Sequence, residues 1–262
     1  MFDEHLERWH LEPDGDPIIT NSSRLLPVRR GDTPAMLKIA KIAEESRGGL
    51  LMVWWCGAGA ARVLAHEGEA LLLERSDDRG RLVELAKGGH DDEASRIICR
   101  VAARLHAPRR DPPPERVSLP RWFRALEGAT EGILKRAAET AQELLAAPRE
   151  LTTLHGDIHH GNILHFGSHG WLAIDPKGLV GERGFDFANT FLNPDQATAT
   201  APGRLVRQSQ VVAEAAGLER PRLLKWILAY AGLSAVWALE AGDEPALALA
   251  VARLAAAELS RL

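Results

Sequence analysis

Two carboxylates and one amide lie within a single short stretch of the chain, LHGDIHHGNILHFGSHGWLAIDP, at residues 154–176. Asp157 and Asn162 are five residues apart, and Asp175 follows the second of two β-like runs. A carboxylate can orient an attacking hydroxyl group and accept its proton. Carboxylate and amide oxygens are also ligands that Mg²⁺ prefers. The stretch therefore predicts a site that activates a hydroxyl group next to a metal-bound phosphate.

A β-hairpin is expected to bring two of these side chains together. The runs 163–166 and 171–174 flank a turn that contains two glycines, which is typical of a hairpin. If the hairpin is centred on that turn, Asn162 lies opposite Asp175, with the two Cβ atoms ~5 Å apart on one face. With Asp157 in the loop before the hairpin, the spacing matches the catalytic loop and metal-binding aspartate of kinases.

The five histidines of the same window allow two other interpretations. A zinc site needs ligands that converge, whereas the adjacent His159 and His160 point apart on an extended segment. The run 156–159 resembles the Gly-Asp-x-His of metallophosphoesterases, although no Gly-Asn-His-Asp or Gly-Asn-His-Glu follows it. Both alternatives stay open, and His155 is expected to bond the backbone near Asp157.

The composition argues against several classes of protein. The 262 residues fit one large domain or two lobes of ~100–150 residues. A net charge of -4, from 32 basic and 36 acidic side chains, is unlike a nucleic-acid-binding surface. Two cysteines are too few for a disulfide framework. The acidic N-terminus does not resemble a secretory signal, and no apolar run reaches the ~18 residues of a membrane span. We expect a soluble, cytoplasmic, monomeric protein that binds neither nucleic acid nor membrane.

The residue pattern divides the chain into a small α+β N-lobe at 1–75 and a larger, mainly helical C-lobe at 76–262, with a polar boundary at 76–80. The expected N-lobe elements are strands at 18–20, 24–29, 35–40 and 70–73, with a helix at 42–55. The expected C-lobe helices lie at 91–106, at 125–147 and beyond about residue 203. The hairpin is the only β element predicted in the C-lobe.

The motif HGDIHHGN at 155–162, followed by IDP at 174–176, resembles the aminoglycoside phosphotransferase family. The run IDPKGLVGE at 174–182 narrows the resemblance to the aminoglycoside and hydroxyurea resistance kinases, and within them to streptomycin 6-phosphotransferases. Similar stretches cover nearly the whole chain. The resemblance implies a protein-kinase-like bilobal fold, ATP and Mg²⁺ as cofactors, and a small aminoglycoside as substrate.

The resemblance also implies roles for individual residues. Asp157 is the expected base for the attacking hydroxyl group, and Asn162 and Asp175 are the expected Mg²⁺ ligands. Lys38, in AMLKIA, matches the family's phosphate-binding lysine on the third strand. Glu45, or alternatively Glu44, matches the helix carboxylate that pairs with this lysine.

Further roles concern the edges of the site. Ser22 and Ser23 stand where protein kinases have a glycine-rich loop, which this sequence lacks, and are expected to contact phosphate. The backbone from Glu74 to Ser76 is the expected hinge that meets adenine. Asp186, in GFDFAN, resembles the aspartate that braces the catalytic loop.

Candidate residues that contact the substrate are chosen by their charge alone. Streptomycin carries two guanidinium groups, which carboxylates bind well. The carboxylates within or after the catalytic segment are Glu182, Asp186, Asp195, Glu240 and Asp243. A kinase of another small hydroxylated molecule or of hydroxyurea, and a nucleotide-binding pseudokinase, remain as alternative functions.

Overall fold

The computed structural model describes all 262 residues, in eleven β-strands and ten α-helices. The strands are β1 (Glu12–Pro13), β2 (Ile18–Ile19), β3 (Ser23–Arg30), β4 (Thr33–Ala40), β5 (Val63–Glu67), β6 (Ala70–Glu74), β7 (Val117–Ser118), β8 (Leu151–Leu154), β9 (Ile163–His165), β10 (Trp171–Ala173) and β11 (Leu179–Glu182). The helices are α1 (Asp3–Arg8), α2 (Ala43–Trp55), α3 (Arg81–Lys87), α4 (Asp91–His106), α5 (Leu119–Trp122), α6 (Gly132–Ala146), α7 (Gln196–Ala199), α8 (Arg204–Ala216), α9 (Arg220–Ala241) and α10 (Ala246–Leu259). Short 3₁₀ helices cover Phe123–Gly128, His160–Asn162, Gly167–His169 and Arg183–Leu192.

An antiparallel sheet dominates the N-terminal part of the chain. Its order is β1-β3-β4-β6-β5, and β2 pairs with the start of β3. The strands β3 and β4 pair over their full length across a two-residue turn, in which Gly31 has a φ of 58°, as tight hairpin turns require. Leu26, Val28 and Leu37 fill a small core of eight buried residues on one face of the sheet. The structure confirms the predicted strands, but β1 and β5 were not predicted.

Helix α2 fixes the sheet to the rest of the protein. Leu51, Met52 and Trp55 on this helix belong to the main core of 54 buried residues. On its other side, Gly48 lies so close to Pro176 that an added Cβ would be 2.0 Å from the Pro176 carbonyl oxygen. The predicted helix at 42–55 is confirmed. Because Gly48 has no Cβ, the helix can approach Pro176 this closely.

The C-terminal part is built mainly from helices. The predicted helix at 91–106 is confirmed as α4, which buries one apolar stripe. Helix α6 begins at Gly132 rather than near residue 125, because Phe123–Gly128 forms a separate 3₁₀ turn. Helix α9 is long and apolar enough by length and composition to span a membrane, but its Leu224 and Ile227 are fully buried in the core. Its apolar composition therefore serves packing inside the C-lobe.

A three-stranded sheet in the C-terminal part was missed by the sequence analysis, which expected only the hairpin. Its order is β7-β11-β8, with β11 parallel to β7 and antiparallel to β8. The pairs join residues far apart in sequence, such as Leu179 with Leu154, and the strands are too short to show a local pattern. This sheet holds the start of the loop that carries Asp157 next to the segment that follows Asp175.

The hairpin register differs from the predicted one by one residue. Trp171 pairs with His165 and Ala173 with Ile163, so Ile174 rather than Asp175 lies opposite Asn162. The predicted four-residue turn was wrong because the Phe166 N–H donates to the Gly170 carbonyl at 2.8 Å and leaves three residues in the turn.

Candidate active site

Asp157 lies in the loop after β8, and two amides hold its carboxylate. Asn189 Nδ2 donates to its Oδ1 at 2.7 Å. Asn162 Nδ2 donates to its Oδ2 at 3.2 Å and to its backbone carbonyl at 3.0 Å. Both donors are neutral, so they orient the carboxylate without pairing it to a cation. The sequence analysis gave Asn189 no role, although it closes the motif GFDFAN.

Asp186 braces the loop that carries Asp157. Its buried carboxylate accepts the N–H of His155 at 2.9 Å and the N–H of Gly156 at 2.7 Å. The Nε2 atom of His106 lies 2.7 Å from the same carboxylate. These contacts fix the loop backbone immediately before Asp157.

His155 supports the loop from the opposite side. Its ring stacks on Trp55 with 6.1 Å between centroids. Burial lowers the pKa of His155, which favours the neutral ring. The Asp157 N–H donates to Nδ1 at 3.2 Å, and Nε2 lies 2.9 Å from the Ile174 carbonyl. One neutral tautomer, protonated at Nε2, satisfies both contacts.

Asp175 reaches the site through its backbone conformation instead of the hairpin register. Its φ is 62°, in the left-handed region, so the chain turns as it leaves β10. The carboxylate pairs with Lys38 of β4, and Lys38 also pairs with the buried Glu45 of α2. Burial opposes ionisation of Asp175, but the charges of Lys38 and Lys177 outweigh it and lower its pKa to about 2.

Lys177 is a further charged residue of the site that the sequence analysis missed. Its Nζ lies 3.4 Å from Glu45 and 3.6 Å from both Glu44 and Asp175. Glu45 and Glu44 were the two candidate helix carboxylates. Glu45 pairs with both Lys38 and Lys177, whereas Glu44 pairs with Lys177 and not with Lys38. The signal available in the sequence was a lysine two positions after the candidate metal ligand.

Asn162 and Asp175 present the oxygen atoms that a divalent cation would bind. Both hydrogen bonds of the Asn162 side chain use Nδ2, so Oδ1 has no protein partner. Asn162 and Asp175 line one and the same cavity, which is described below. The neighbouring lysines keep the Asp175 carboxylate ionised. This pair of hard oxygen donors fits Mg²⁺, which takes one or two protein ligands and completes its shell with phosphate and water.

A cavity of about 350 Å³ separates the N-terminal sheet from the hairpin, and we call it the hinge cavity. Apolar side chains from both sides form its walls: Met36, Leu71, Leu73, Leu164, Phe166 and Ile174. Lys38, Asn162 and Asp175 also line it. The cavity therefore combines apolar walls with charged and polar groups that could hold phosphate and a metal ion.

The predicted hinge residues line this cavity, and the side chains of Glu74 and Ser76 are hydrogen-bonded to other protein groups. Glu74 accepts the Arg62 N–H at 2.7 Å, and its other oxygen lies 2.8 Å from His169 Nδ1. The Ser76 hydroxyl donates to the His165 carbonyl at 2.6 Å. The backbone N–H of Ser76 donates to no protein group, so the backbone is the part that is free to bind a ligand.

Ser22 and Ser23 also line the hinge cavity. Their backbone N–H groups donate to Thr20 Oγ1 at 3.3 and 2.9 Å. The Ser23 hydroxyl lies 3.2 Å from the same atom. A phosphate contact from these amides would therefore have to replace the bonds to Thr20.

A second cavity, of about 600 Å³, adjoins Asp157, and we call it the aromatic cavity. Its walls include Trp122, Tyr230 and Trp237. The rings of Trp122 and Trp237 meet edge to face, with centroids 5.3 Å apart. Lys177 also lines it. None of the aromatic residues was predicted, because their convergence depends on how α5 and α9 pack.

The structure places Glu182, predicted to contact the substrate, inside the protein. The carboxylate is buried and accepts hydrogen bonds from the Arg222 guanidinium, at 2.6 Å to each oxygen. Trp226 Nε1 at 2.9 Å and the Arg149 N–H at 2.9 Å complete its partners. Glu182 therefore joins β11 to α9 inside the C-lobe.

The remaining acidic candidates also lie outside the hinge and aromatic cavities. Asp195 caps α7 by accepting the Thr198 N–H at 2.8 Å, and it pairs with Lys87 at 3.1 Å. Glu240 and Asp243 are exposed at the C-terminal end of α9. None of these carboxylates lines either cavity, and a role for them in binding the substrate stays a prediction.

Residues 8–242 match the family described as aminoglycoside/hydroxyurea antibiotic resistance kinase. A streptomycin 3''-kinase of Klebsiella pneumoniae is 53% identical, over 88% of this chain and 90% of its own. A streptomycin 6-kinase of Streptomyces griseus is 30% identical, over 97% of this chain and 86% of its own. A hydroxyurea phosphotransferase of Kitasatospora aureofaciens is 32% identical, over 92% of this chain and 73% of its own.

Solved structures with the same fold are more distant in sequence. A choline/ethanolamine kinase family protein from Mesorhizobium loti aligns with a TM-score of 0.64 at 18% identity, over 99% of this chain and 96% of its own. The aminoglycoside phosphotransferase APH(4)-Ia, in a complex with ADP and hygromycin B, aligns with a TM-score of 0.63 at 13% identity, over 99% and 96%. The fold is protein-kinase-like, and the chain belongs to the aminoglycoside/hydroxyurea antibiotic resistance kinase family.

Proposed function

We propose that this protein transfers the γ-phosphoryl group of ATP to a hydroxyl group of streptomycin, in a reaction that requires Mg²⁺. The observation that carries the proposal is the position of Asp157. Its carboxylate lines the aromatic cavity and is bonded to Asn162, which lines the hinge cavity. A base at this junction lies between a nucleotide in one cavity and an alcohol in the other.

The hinge cavity suits the nucleotide. Its apolar walls suit an adenine ring, and the Ser76 backbone N–H can donate to that ring. Lys38 supplies a point charge for the phosphates. Asn162 and Asp175 would hold Mg²⁺, which neutralises phosphate charge during transfer. Under this proposal, residues 1–75 form the phosphate-binding lobe, and residues 76–262 carry the catalytic loop and the acceptor site.

Asp157 would orient the acceptor and take its proton. The hydroxyl proton moves to the carboxylate as the oxygen bonds to phosphorus, and the bond from phosphorus to the ADP oxygen breaks. Asn189 and Asn162 keep the carboxylate in one orientation through hydrogen bonds at 2.7 and 3.2 Å. Phosphoryl transfer depends mainly on such positioning and on neutralised charge.

The aromatic cavity suits a large, ring-containing acceptor. Its charged lining consists of two carboxylates, Glu44 and Asp157, and three basic side chains, Arg47, Arg121 and Lys177. Guanidinium groups stack on aromatic faces, so Trp122 and Trp237 take the role that the sequence analysis gave to carboxylates. A volume of about 600 Å³ lies in the range of drug-binding pockets and far exceeds the needs of hydroxyurea. This difference favours streptomycin over hydroxyurea.

We assign the acceptor position to the 3''-hydroxyl. Identity of 53% with a streptomycin 3''-kinase, against 30% with a streptomycin 6-kinase, supports this choice. The 6-hydroxyl, to which the motif in the sequence pointed, is the alternative position. The two products have the same mass and differ only in the ring that carries the phosphate.

The test measures ADP release with ATP, Mg²⁺ and a panel of streptomycin, other aminoglycosides and hydroxyurea. We expect turnover that depends on streptomycin, and a phosphorus-to-proton correlation in the product NMR spectrum at the 3'' position. A correlation at position 6 would reassign the hydroxyl group. Turnover only with other alcohols, or nucleotide binding without turnover, would contradict the proposal.

A further inference from the structure

Two residues that line the aromatic cavity each have a buried donor atom without a hydrogen-bond partner in the protein. The atoms are Nε of Arg47 and Nε1 of Trp122. Buried polar groups are normally hydrogen-bonded, so these residues indicate a ligand that brings acceptor oxygen atoms into the cavity. Trp122 is neutral, whereas the guanidinium group of Arg47 is always protonated.

Arg47 is held in place through the backbone of α2. A Cβ added at Gly178 would lie 3.2 Å from the Arg47 Cβ. Gly178 has a φ of 72°, so the lack of a side chain there allows α2 to pack against the segment after Asp175. The Arg47 side chain is half-buried and forms no ion pair, because Glu44 on the same helix pairs instead with Lys177, at 3.6 Å.

The carboxylates around the aromatic cavity are held by other groups. Three carboxylates share two lysines in one cluster: Glu44, Glu45 and Asp175 with Lys38 and Lys177. The proposed Mg²⁺ at Asp175 would add positive charge to this cluster. Burial raises the pKa of Glu44, although the charges of Lys177 and Arg47 oppose the rise. Asp157 is bonded to two neutral amides. The guanidinium group of Arg47 is therefore left without a partner of opposite charge.

A phosphate group on the acceptor would supply that partner. A phosphate monoester carries about -1.5 to -2 charges at neutral pH, and a guanidinium group binds phosphate through two parallel hydrogen bonds. The phosphate would form beside Asp157, which lines the same cavity as Arg47. Mg²⁺ at Asn162 and Asp175 would neutralise phosphate charge from the side of the hinge cavity.

We infer that Arg47 binds the phosphate group of the phosphorylated acceptor from the side of the aromatic cavity. The inference rests on the proposed function, because that reaction places the phosphate next to Asp157. The unphosphorylated drug is cationic and gains no favourable charge contact from Arg47, so this residue distinguishes product from substrate. Arg121 lines the same cavity but is exposed, so water screens its charge and an anion gains less from it.

The test is calorimetric titration of wild type and Arg47→Met with streptomycin and with its 3''- and 6-phosphates, at saturating MgADP. The two phosphates are prepared with kinases of known position, so the measurement needs no turnover by this protein. We expect wild type to bind the 3''-phosphate, and Arg47→Met to bind it roughly 10–100-fold more weakly, as expected for lost hydrogen bonds between charged groups. The affinity for streptomycin should stay unchanged or rise up to about threefold, since one like charge is removed.

Further variants separate this role from a general effect on the fold. Arg47→Lys keeps the charge but loses the two-bond geometry, so its affinity for the phosphate should be intermediate. Arg121→Met should weaken phosphate binding less than Arg47→Met, and Arg253→Met, which removes an exposed arginine of α10, should change neither affinity. Because Arg47 forms no ion pair, Arg47→Met should keep its Tm within about 3 °C of wild type. Arg47→Gln replaces the methionine variant if that variant does not fold.

Equal weakening of streptomycin and its phosphate by Arg47→Met would indicate a change of cavity shape and overturn the inference. Unchanged binding of the phosphate, or a larger effect of Arg121→Met, would overturn it as well. Wild-type protein that binds neither streptomycin nor its phosphates would contradict the proposed function, and the inference with it.

Discussion

The contact between Gly48 and Pro176 gives a test of how α2 and the segment that contains Asp175 are held together. An alanine Cβ at position 48 would lie 2.0 Å from the Pro176 carbonyl oxygen, so the two segments must separate by roughly 1.4 Å to reach ordinary contact. Overpacking costs ~1–3 kcal/mol, and a displacement of this size belongs at the upper end. The better helix propensity of alanine offsets about 1 kcal/mol. Gly48→Ala is therefore expected to destabilise the protein by about 2 kcal/mol, or roughly 4–8 °C in Tm for a chain of this length.

The neighbouring glycine supplies a matched control. A Cβ at Gly49 would meet only one atom, Leu71 Cδ1 at 3.3 Å, so Gly49→Ala should leave Tm within about 3 °C of wild type. Thermal unfolding measures the stability of both variants. Titration with MgATP should show weaker binding for Gly48→Ala, because Glu45 and Asp175 are separated by the same shift. An unchanged Tm and unchanged MgATP affinity in Gly48→Ala would refute this account of the interface.

Three other variants test separate parts of the site. Asp175→Ala should abolish the improvement of ATP binding by Mg²⁺, measured by calorimetry with and without the metal. Trp237→Ala should raise the KM for streptomycin about tenfold, as expected for a lost cation–π contact, whereas Trp237→Phe should retain most of the affinity and neither should change the KM for ATP. Glu182→Gln should lose about 3 kcal/mol of stability at neutral pH, because it breaks the buried pair with Arg222. Burial opposes ionisation of Glu182, but hydrogen bonds from Arg222 and Trp226 outweigh it and lower its pKa. The ionised carboxylate therefore stabilises the folded protein fully above the unfolded pKa of ~4.3. The difference in Tm between wild type and variant should shrink as the pH falls below that value.

Local signals in the sequence were sufficient for the elements that bury one regular face. Helix α4 was predicted with its observed bounds, because acidic residues at its start and an apolar period of 3.6 both mark it. The strand that carries Lys38 was also predicted to within two residues. Asp157, Asn162 and Asp175 were predicted to lie close together from their types and spacing, and the structure places Asp157 in hydrogen-bond contact with Asn162, and Asn162 and Asp175 at one cavity.

Long-range packing accounts for what the sequence did not reveal. The sheet of β7, β11 and β8 joins segments far apart in the chain, and no local pattern predicts such pairs. The hairpin register depended on one residue of turn length. The left-handed backbone of Asp175 is only weakly indicated by its residue type, since aspartate adopts positive φ more often than most residues but still rarely. The aromatic cavity and the partners of Glu182 arise from the packing of α9, so charge alone could not reveal either of them.

The most direct test of the central claim compares wild type with Asp157→Asn in a single-turnover experiment with ATP labelled at the γ-phosphate, Mg²⁺ and streptomycin. We predict label transfer to streptomycin by wild type. The variant should bind ATP with unchanged affinity, measured in the same samples, and should transfer label ~10²–10⁴-fold more slowly. Transfer by Asp157→Asn at the wild-type rate would contradict the assignment of the base.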